Sequence, residues 1–475
     1  MLTLRDHRPD RNCQGLARRE FLKIGALGFG ALGFGGVLTL PQLLAAKAQA
    51  AALGKVVKDR SVVLLFLQGG PSHIELFDPK MSAPSEIRSV TGEVATKLPG
   101  ITFGGTFPKM AAIADKLAVV RSYGSQNAGH TYESVTTAGN SLNASMGAIY
   151  ARVAGANHPR TGMPANILVL PEAVQDGLKL ESNFETGALP TLTQPGDLGP
   201  TYSAFNPAGG GQLKEELELK IGAERLGDRR QLLASLDQIR RGADRKQMLE
   251  GTNRFQQQAF DVITRGVAEA FDLSKEDPRT IERYDTTKLF PARETQRWYD
   301  MHRSSNLLGR QMLLARRLCE AGAGFVTVSD CGWDMHANEN SPKFMAGMYP
   351  LGGQVDHAVS AFVEDIHQRG LEDKILLVVT GEMGRSPRLN RNGGRDHYGE
   401  LTPLVFAGGG LNVGQVIGQS DPHATRPATQ PYDPTHLLAT IFHSLFDLGQ
   451  LRLESSIPRE IIRLAEESRP IDGLL

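Results

Sequence analysis

Two short stretches in the last third of the chain carry the side chains that bind divalent metals through oxygen and nitrogen. The first is Gly332-Trp333-Asp334-Met335-His336, and the second runs from Thr380 through Gly381-Glu382-Met383-Gly384-Arg385 to Gly394-Arg395-Asp396-His397. Each follows an apolar, β-rich segment, residues 325–329 and 375–379 respectively. Carboxylates and imidazoles just past strand ends stand where open α/β sheets bind ligands. Taken singly, an Asp-x-His step serves as a helix-capping turn and an Asp-His pair as a solvated loop. Two Gly-flanked clusters of ligand types at two strand ends point instead to a single divalent-metal site built from Asp334, His336, Glu382 and His397. The mixed oxygen and nitrogen donors leave Zn, Ca, Mg and Mn all open.

The elements that must position these residues read as a mostly parallel sheet. Ser61–Leu67 contains the continuous apolar run Val62-Val63-Leu64-Leu65-Phe66, as expected of a strand buried on both faces, and Gly69-Gly70-Pro71 ends it in a tight turn. Residues 117–120, 167–170, 325–329, 375–379 and 403–407 read as further strands, alternating with helical or loop segments. On the helix around 355–368, Val355, Val359, Phe362, Val363 and Ile366 share one face and belong to the core. Asp433-Pro434-Thr435 opens a last helix running to Leu445. Between about 213 and 322 the character changes to helical patterns rich in Arg, Gln and Leu, at 231–240, 255–271 and 305–321, which read as a helical insertion with solvated charged faces. The expected fold is α/β, a mostly parallel central sheet sandwiched by helices, in one domain spanning 51–475.

The first fifty residues are an address. Arg18-Arg19-Glu20-Phe21-Leu22-Lys23 precedes an apolar, Gly-rich stretch over 24–44, and Ala46-Lys47-Ala48 and Ala48-Gln49-Ala50 offer cleavage sites. This is the layout of a twin-arginine signal peptide. A stretch of that length could also span a bilayer, but its glycines weaken the helix and a small-residue site follows. The expected partner is therefore the twin-arginine translocase, the compartment is the periplasm or the exterior, and no stable membrane span remains after cleavage. Changing both arginines to lysine should trap uncleaved precursor in the cytoplasm; normal amounts of cleaved protein outside the cell would refute the reading.

The chain has 52 basic and 52 acidic residues, and removing the leader leaves 45 against 49, a charge of about −4. No electrostatic footprint for nucleic acid remains. Of three cysteines, Cys13 lies in the leader. Cys319 and Cys331 either pair in an oxidising compartment or sit as small buried residues.

The ordered motifs Gly69-Gly70-Pro71-Ser72-His73, Phe77-Asp78-Pro79-Lys80, Ala315-Arg316-Arg317-Leu318, Trp333-Asp334-Met335-His336, Gly381-Glu382-Met383-Gly384-Arg385 and Gly394-Arg395-Asp396-His397 resemble the DUF1501 family of exported bacterial proteins, over nearly the whole mature chain. That family in turn resembles the alkaline phosphatase and arylsulfatase superfamily. The resemblance implies a metal-dependent hydrolase of phosphate or sulfate esters, acting on a small-molecule ester or a surface glycan. The alternative is an exported binding or assembly protein that keeps the fold and a structural metal.

In the superfamily's order of ligands, Asp334 and His336 take the middle position, Glu382 the late one and His397 the last. Two positions depart from it: Gln68 stands where a first Asp would be, and Met383 where a His would follow the late carboxylate. His73 restores a ligand at the first strand's end or merely orders the turn, and Asp78 is the nearest carboxylate. Asp396 ligates metal or orients His397. Arg385 and Arg395 offer guanidinium forks to an oxyanion or pair with structural carboxylates. Ser72 is the nearest candidate nucleophile, though it suits a turn. Thr136 and Thr137 are next, and His130 stands isolated in Gly129-His130-Thr131-Tyr132.

Overall fold

The computed structural model describes residues 56–208 and 267–475. The leader and residues 213–266 of the expected insertion lie outside the described residues. Seven strands make the central sheet: β1 Ser61–Leu67, β2 Ala118–Val120, β3 Asn166–Val169, β4 Phe325–Asp330, β5 Ile375–Thr380, β6 Val405–Gly408 and β7 Gln415–Ile417. Their order across the sheet is β7-β2-β6-β5-β1-β4-β3. All pairings are parallel except those of β6, which runs antiparallel to both β5 and β2. The mostly parallel α/β sandwich expected from the sequence is thus present.

Burial follows the period-two pleat of β1. Val63, Leu65 and Leu67 enter the apolar cluster on one face, and Val62, Leu64 and Phe66 enter the cluster on the other. Helices cover both faces. α1, Leu308–Glu320, and α2, Met348–Gln368, pack their apolar sides into the first cluster, and α3, Pro434–Leu445, packs into the second. Asp433 caps α3, its carboxylate accepting from the Thr435 and His436 N–H groups, with Pro434 at the first turn.

α1 corrects the expected limits of the insertion. Leu308, Met312, Leu314, Ala315 and Leu318 are fully buried, and the Gln311 amide donates to the Val169 and Ser329 carbonyls at 3.3 and 3.1 Å. The segment is therefore part of the helical layer beside β3 and β4. Its charges are not a solvated face either: Arg316 is buried and pairs with Glu276 at 2.6 Å and Asp365 at 3.0 Å. Carboxylates supplied by distant segments draw it inward. Cys319 and Cys331 are both buried and free, so no bridge forms between them. Among the described residues, no helix is long and apolar enough to cross a membrane.

The topology decides what can meet. β1, β4 and β5 are parallel neighbours, with Leu67 level with Asp330 and Phe66 level with Thr380, so the chain leaves all three at one edge. Because β6 runs the other way, the segment that enters it starts from that same edge. β2 is antiparallel to β6 and ends there as well. β3 and β7, parallel to β4 and β2, end there too, so connections of all seven strands share one rim, the carboxyl edge of the parallel strands.

Candidate metal centre

The rim is drawn tight by glycine. Gly69 and Gly70 adopt φ of +112° and +90°, the region that favours residues without a Cβ. A Cβ on Gly69 would lie 2.5 Å from the Asp334 nitrogen, so only glycine lets the turn after β1 rest on the backbone that carries Asp334. The Trp333 N–H donates to the Gln68 carbonyl at 3.0 Å and locks that approach. Across the rim, the Gly69 N–H donates to Glu382 Oε1 at 2.8 Å. Arg385 is fully buried and stitches the same turn together, donating from Nε to the Gly70 carbonyl at 2.8 Å and from Nη2 to the Gly69 carbonyl and Asp334 Oδ1.

Three imidazoles converge on Asp334. His397 Nε2 is 3.2 Å from Asp334 Oδ1, His336 Nε2 is 3.1 Å from the same oxygen, and His130 Nε2 is 3.6 Å from Oδ2. In each ring the other nitrogen is held from behind: Nδ1 of His130 by Glu382 Oε1 at 3.0 Å, Nδ1 of His336 by Asp396 Oδ1 at 3.0 Å, and Nδ1 of His397 by the Ala128 carbonyl at 3.0 Å. With Nδ1–H committed to an oxygen, a neutral imidazole presents its Nε2 lone pair forward, as metal-ligating histidines do. Donor atoms of His130, Asp334 and His397 all lie within 4.8 Å of one another. An ion about 2.0–2.6 Å from each donor spans separations of that order. Glu382 Oε2 is buried with no hydrogen-bond partner, an unmet acceptor at the heart of the rim. The donor set and this orphaned oxygen fit a divalent cation.

The electrostatics are those of a nest of closely coupled charges. Burial pushes the Asp334 carboxyl up, but bonds from His130, His336 and His397 overcome it and hold the group well below the usual carboxylate range. Burial lowers His130, yet Asp334 and Glu382 lift it to about 9. His336 is raised chiefly by Asp334. With His130 raised in this way, uptake of an ion at its Nε2 should expel a proton at neutral pH and leave none to expel above about pH 9. Apparent metal affinity should rise about tenfold per pH unit up to that point and level off above it. Competition titrations against a chelator across pH 6–10 test this, and a flat profile would remove His130 from the ligands.

The structure gathers some of the sequence candidates and disperses others. Asp334, His336, Glu382, Arg385, Asp396 and His397 meet at the rim. Glu382 and Asp396 stand behind His130 and His336, so Asp396 orients His336 and not His397, whose Nδ1 rests on the Ala128 carbonyl. His73 is a correction: it is buried beneath the turn, its Nε2–H donates to the Ala424 carbonyl at 3.1 Å, and burial lowers it to about 4. Ser72 is another, since it is buried and its Oγ accepts the Glu75 N–H at 3.4 Å as the cap of a one-turn helix.

Arg395 is fully buried against Glu75, with Nη2 and Nε 2.8 and 3.0 Å from Oε1, and it faces no ligand. Arg385 is equally consumed by the turn and Asp334, so neither guanidinium is a free fork. Gln68 Oε1 accepts from Ser329 Oγ and Cys331 Sγ, each at 2.6 Å, and Asp78 pairs with Lys80 and Arg121. Thr136 and Thr137 spend their hydroxyls on the Thr191 and Glu133 carbonyls. His130 is the residue the sequence reading left isolated. Its signal was position: it follows β2, which ends at the same rim.

Fold and site together define an α/β sandwich with a histidine–carboxylate cluster, a candidate metal site, at the carboxyl edge of its sheet. The chain belongs to the DUF1501 family, described as a protein of unknown function, whose pattern matches residues 59–475. No curated protein matches it.

Among solved structures it is similar to a phosphonate monoester hydrolase from Silicibacter pomeroyi, at 12% identity and a TM-score of 0.28 over 81% of this chain and 73% of that one. It is similar to a sulfatase from Pseudoalteromonas sp., at 13% identity and 0.27 over 80% and 68%. It is also similar to the alkaline phosphatase of the Antarctic bacterium TAB5, at 12% identity and 0.31 over 86% and 99%.

Proposed function

We propose that this chain is an exported, metal-dependent hydrolase of phosphate or sulfate esters. The observation that carries the reading is the convergence of three Nε2 atoms on Asp334, each imidazole held from behind by an oxygen. His130, Asp334 and His397 would hold the ion, with His336 beside them. A divalent cation held by these residues would supply Lewis-acid polarisation of an ester oxygen and a water of lowered pKa.

The chain's own residues then divide the remaining work. Arg385 fixes the Asp334 carboxylate and offsets its charge, while Glu382, Asp396 and the Ala128 carbonyl set the tautomers of the three rings. With the hydroxyls of Ser72, Thr136 and Thr137 committed to backbone groups, the attacking oxygen comes from water rather than from a side chain. Water adds to phosphorus or sulfur, the bond to the ester oxygen breaks, and the alcohol leaves with a proton. Export by the twin-arginine translocase, which the leader supports, would put the enzyme before esters in the periplasm or on surface glycans.

The same committed hydroxyls and guanidiniums favour a second reading, an exported binding or assembly protein with a structural metal. A panel of phosphomonoesters, phosphodiesters and sulfate esters, assayed with metal-replete protein, separates the two. Expected is turnover of at least one class, lost on chelation. In Glu382→Gln, metal affinity should fall by about 10–100-fold. A panel without chelator-sensitive turnover, together with capture of a surface glycan or protein, would hand the site to the second reading.

A further inference from the structure

A row of rings leads outward from the centre. The His397 and His130 rings lie 4.6 Å apart between centroids, His130 and Phe184 4.5 Å, Phe184 and Tyr299 6.5 Å, and Tyr299 and His302 5.5 Å. Phe184 is half-buried, and Tyr299 is 45% exposed. An exposed aromatic is ordinary in itself. What distinguishes Tyr299 is that it continues a line of rings that begins at candidate metal ligands.

The backbone around both residues is pinned to the rim. Asn183 caps the helix Phe184–Leu192, and the next residue, Glu185, is fully buried and accepts the Gly332 N–H at 3.3 Å, two residues before Asp334. On the other side, the Asp300 N–H donates to the Asn340 carbonyl at 3.1 Å, tying Tyr299 to the segment after His336. That segment exposes Asn338 and Asn340. The Phe184 and Tyr299 rings, inclined 40° to each other, form a shallow aromatic cradle, and with the phenolic hydroxyl and the exposed amides of the adjoining segment they suit a ring that is apolar on its face and hydroxylated at its edge.

We infer that Phe184 and Tyr299 form a platform on which a sugar ring, carried by the alcohol portion of the ester, stacks while its phosphate or sulfate lies at the metal centre. The inference rests on the hydrolase reading and names its substrate class, a sugar ester. Phe184 touches His130, so Tyr299 is the cleaner position to vary.

The test uses the full chain in two arms. In the first, with chelator present, saturation-transfer NMR with N-acetylglucosamine reads the platform alone. Ring protons should receive saturation, the signal should fall at least about threefold in Tyr299→Ala, and Tyr299→Trp should restore it. In the second, with metal-replete protein, KM for N-acetylglucosamine 6-sulfate or 6-phosphate should rise about three- to tenfold in Tyr299→Ala with kcat nearly unchanged, and butyl sulfate should be indifferent to the change. Sugar binding that depends on Tyr299 without turnover of any ester would keep the platform and sink the hydrolase reading. Sugar binding that ignores Tyr299, or a Tyr299 effect confined to phenyl sulfate, would overturn the platform.

Discussion

Replacing Asp334 with Asn should abolish metal binding at the proposed centre. Asp334 is where three imidazoles and Arg385 converge, so the substitution keeps the shape and removes the charge that gathers them. Outer partners of metal ligands are worth about 10–100-fold in affinity, and loss of a shared carboxylate should exceed about a hundredfold. Elemental analysis of protein folded in the cell should fall from one tightly held divalent ion per chain to a trace. Any ester turnover should disappear with it.

A second effect is visible without metal. Arg385 is left buried beside an uncharged amide, and His130 loses one of the two carboxylates that lift it. Its pKa should fall from about 9 toward the ordinary histidine range. Because Asp334 is held below its usual range, its stabilising contribution is present above the unfolded carboxyl value and fades as pH drops through the folded one. The difference in stability between wild type and Asp334→Asn should therefore be large at neutral pH and shrink in strong acid. Full metal occupancy in the variant would remove Asp334 from the site.

Arg395→Met should unfold the protein far more readily and say little about chemistry. Glu75 and Arg395 are both fully buried, and Glu75 Oε2 also accepts from Ser89 Oγ at 2.7 Å and from the Val90 N–H at 3.0 Å. Burial lowers the Arg395 pKa, and Glu75 opposes that change. Removing one partner strands the other charge in the interior, a loss of about 3–5 kcal/mol, which a chemical denaturation midpoint will register. Arg395→Lys should recover only part of it, because a point charge cannot reproduce the planar fork that also reaches the Ile87, Arg88 and Pro387 carbonyls. Had Arg395 clamped a substrate oxyanion, its loss would leave the unfolding midpoint untouched and lower only turnover.

The contrast between these two residues explains what could be read beforehand. Period and composition are local, so the buried strand at Ser61–Leu67, the strands ahead of Asp334 and Glu382, and the capped helix after Asp433 were legible along the chain. Strand-end position then flagged Asp334, His336, Glu382 and His397 as a group. Partnership is not local. Arg395 and Arg385 look alike in sequence, each beside candidate ligands, and only a carboxylate 320 residues away decides that the first is a structural tie. His130 had no chemical neighbour along the chain, because the antiparallel β6 that brings β2 to the rim leaves no mark in a periodicity. The surrounding charges of 305–321 read as solvated for the same reason: their partners Glu276 and Asp365 lie in other segments.

The single reversed strand has a bearing on when the centre comes into being. His130 enters after β2, Asp334 after β4, Glu382 after β5 and His397 ahead of β6, so the donors are separated by more than 260 residues and are brought together only by the completed order of strands. No fragment of the sheet contains the nest, so an ion held there as proposed could not be acquired piecemeal during synthesis. Occupancy is thereby a certificate of finished folding: a cation that docks there clasps loops from both halves of the sequence and resists the opening of any one of them. On the proposed twin-arginine route, which would carry this chain already folded, loading and readiness for transit would become the same event.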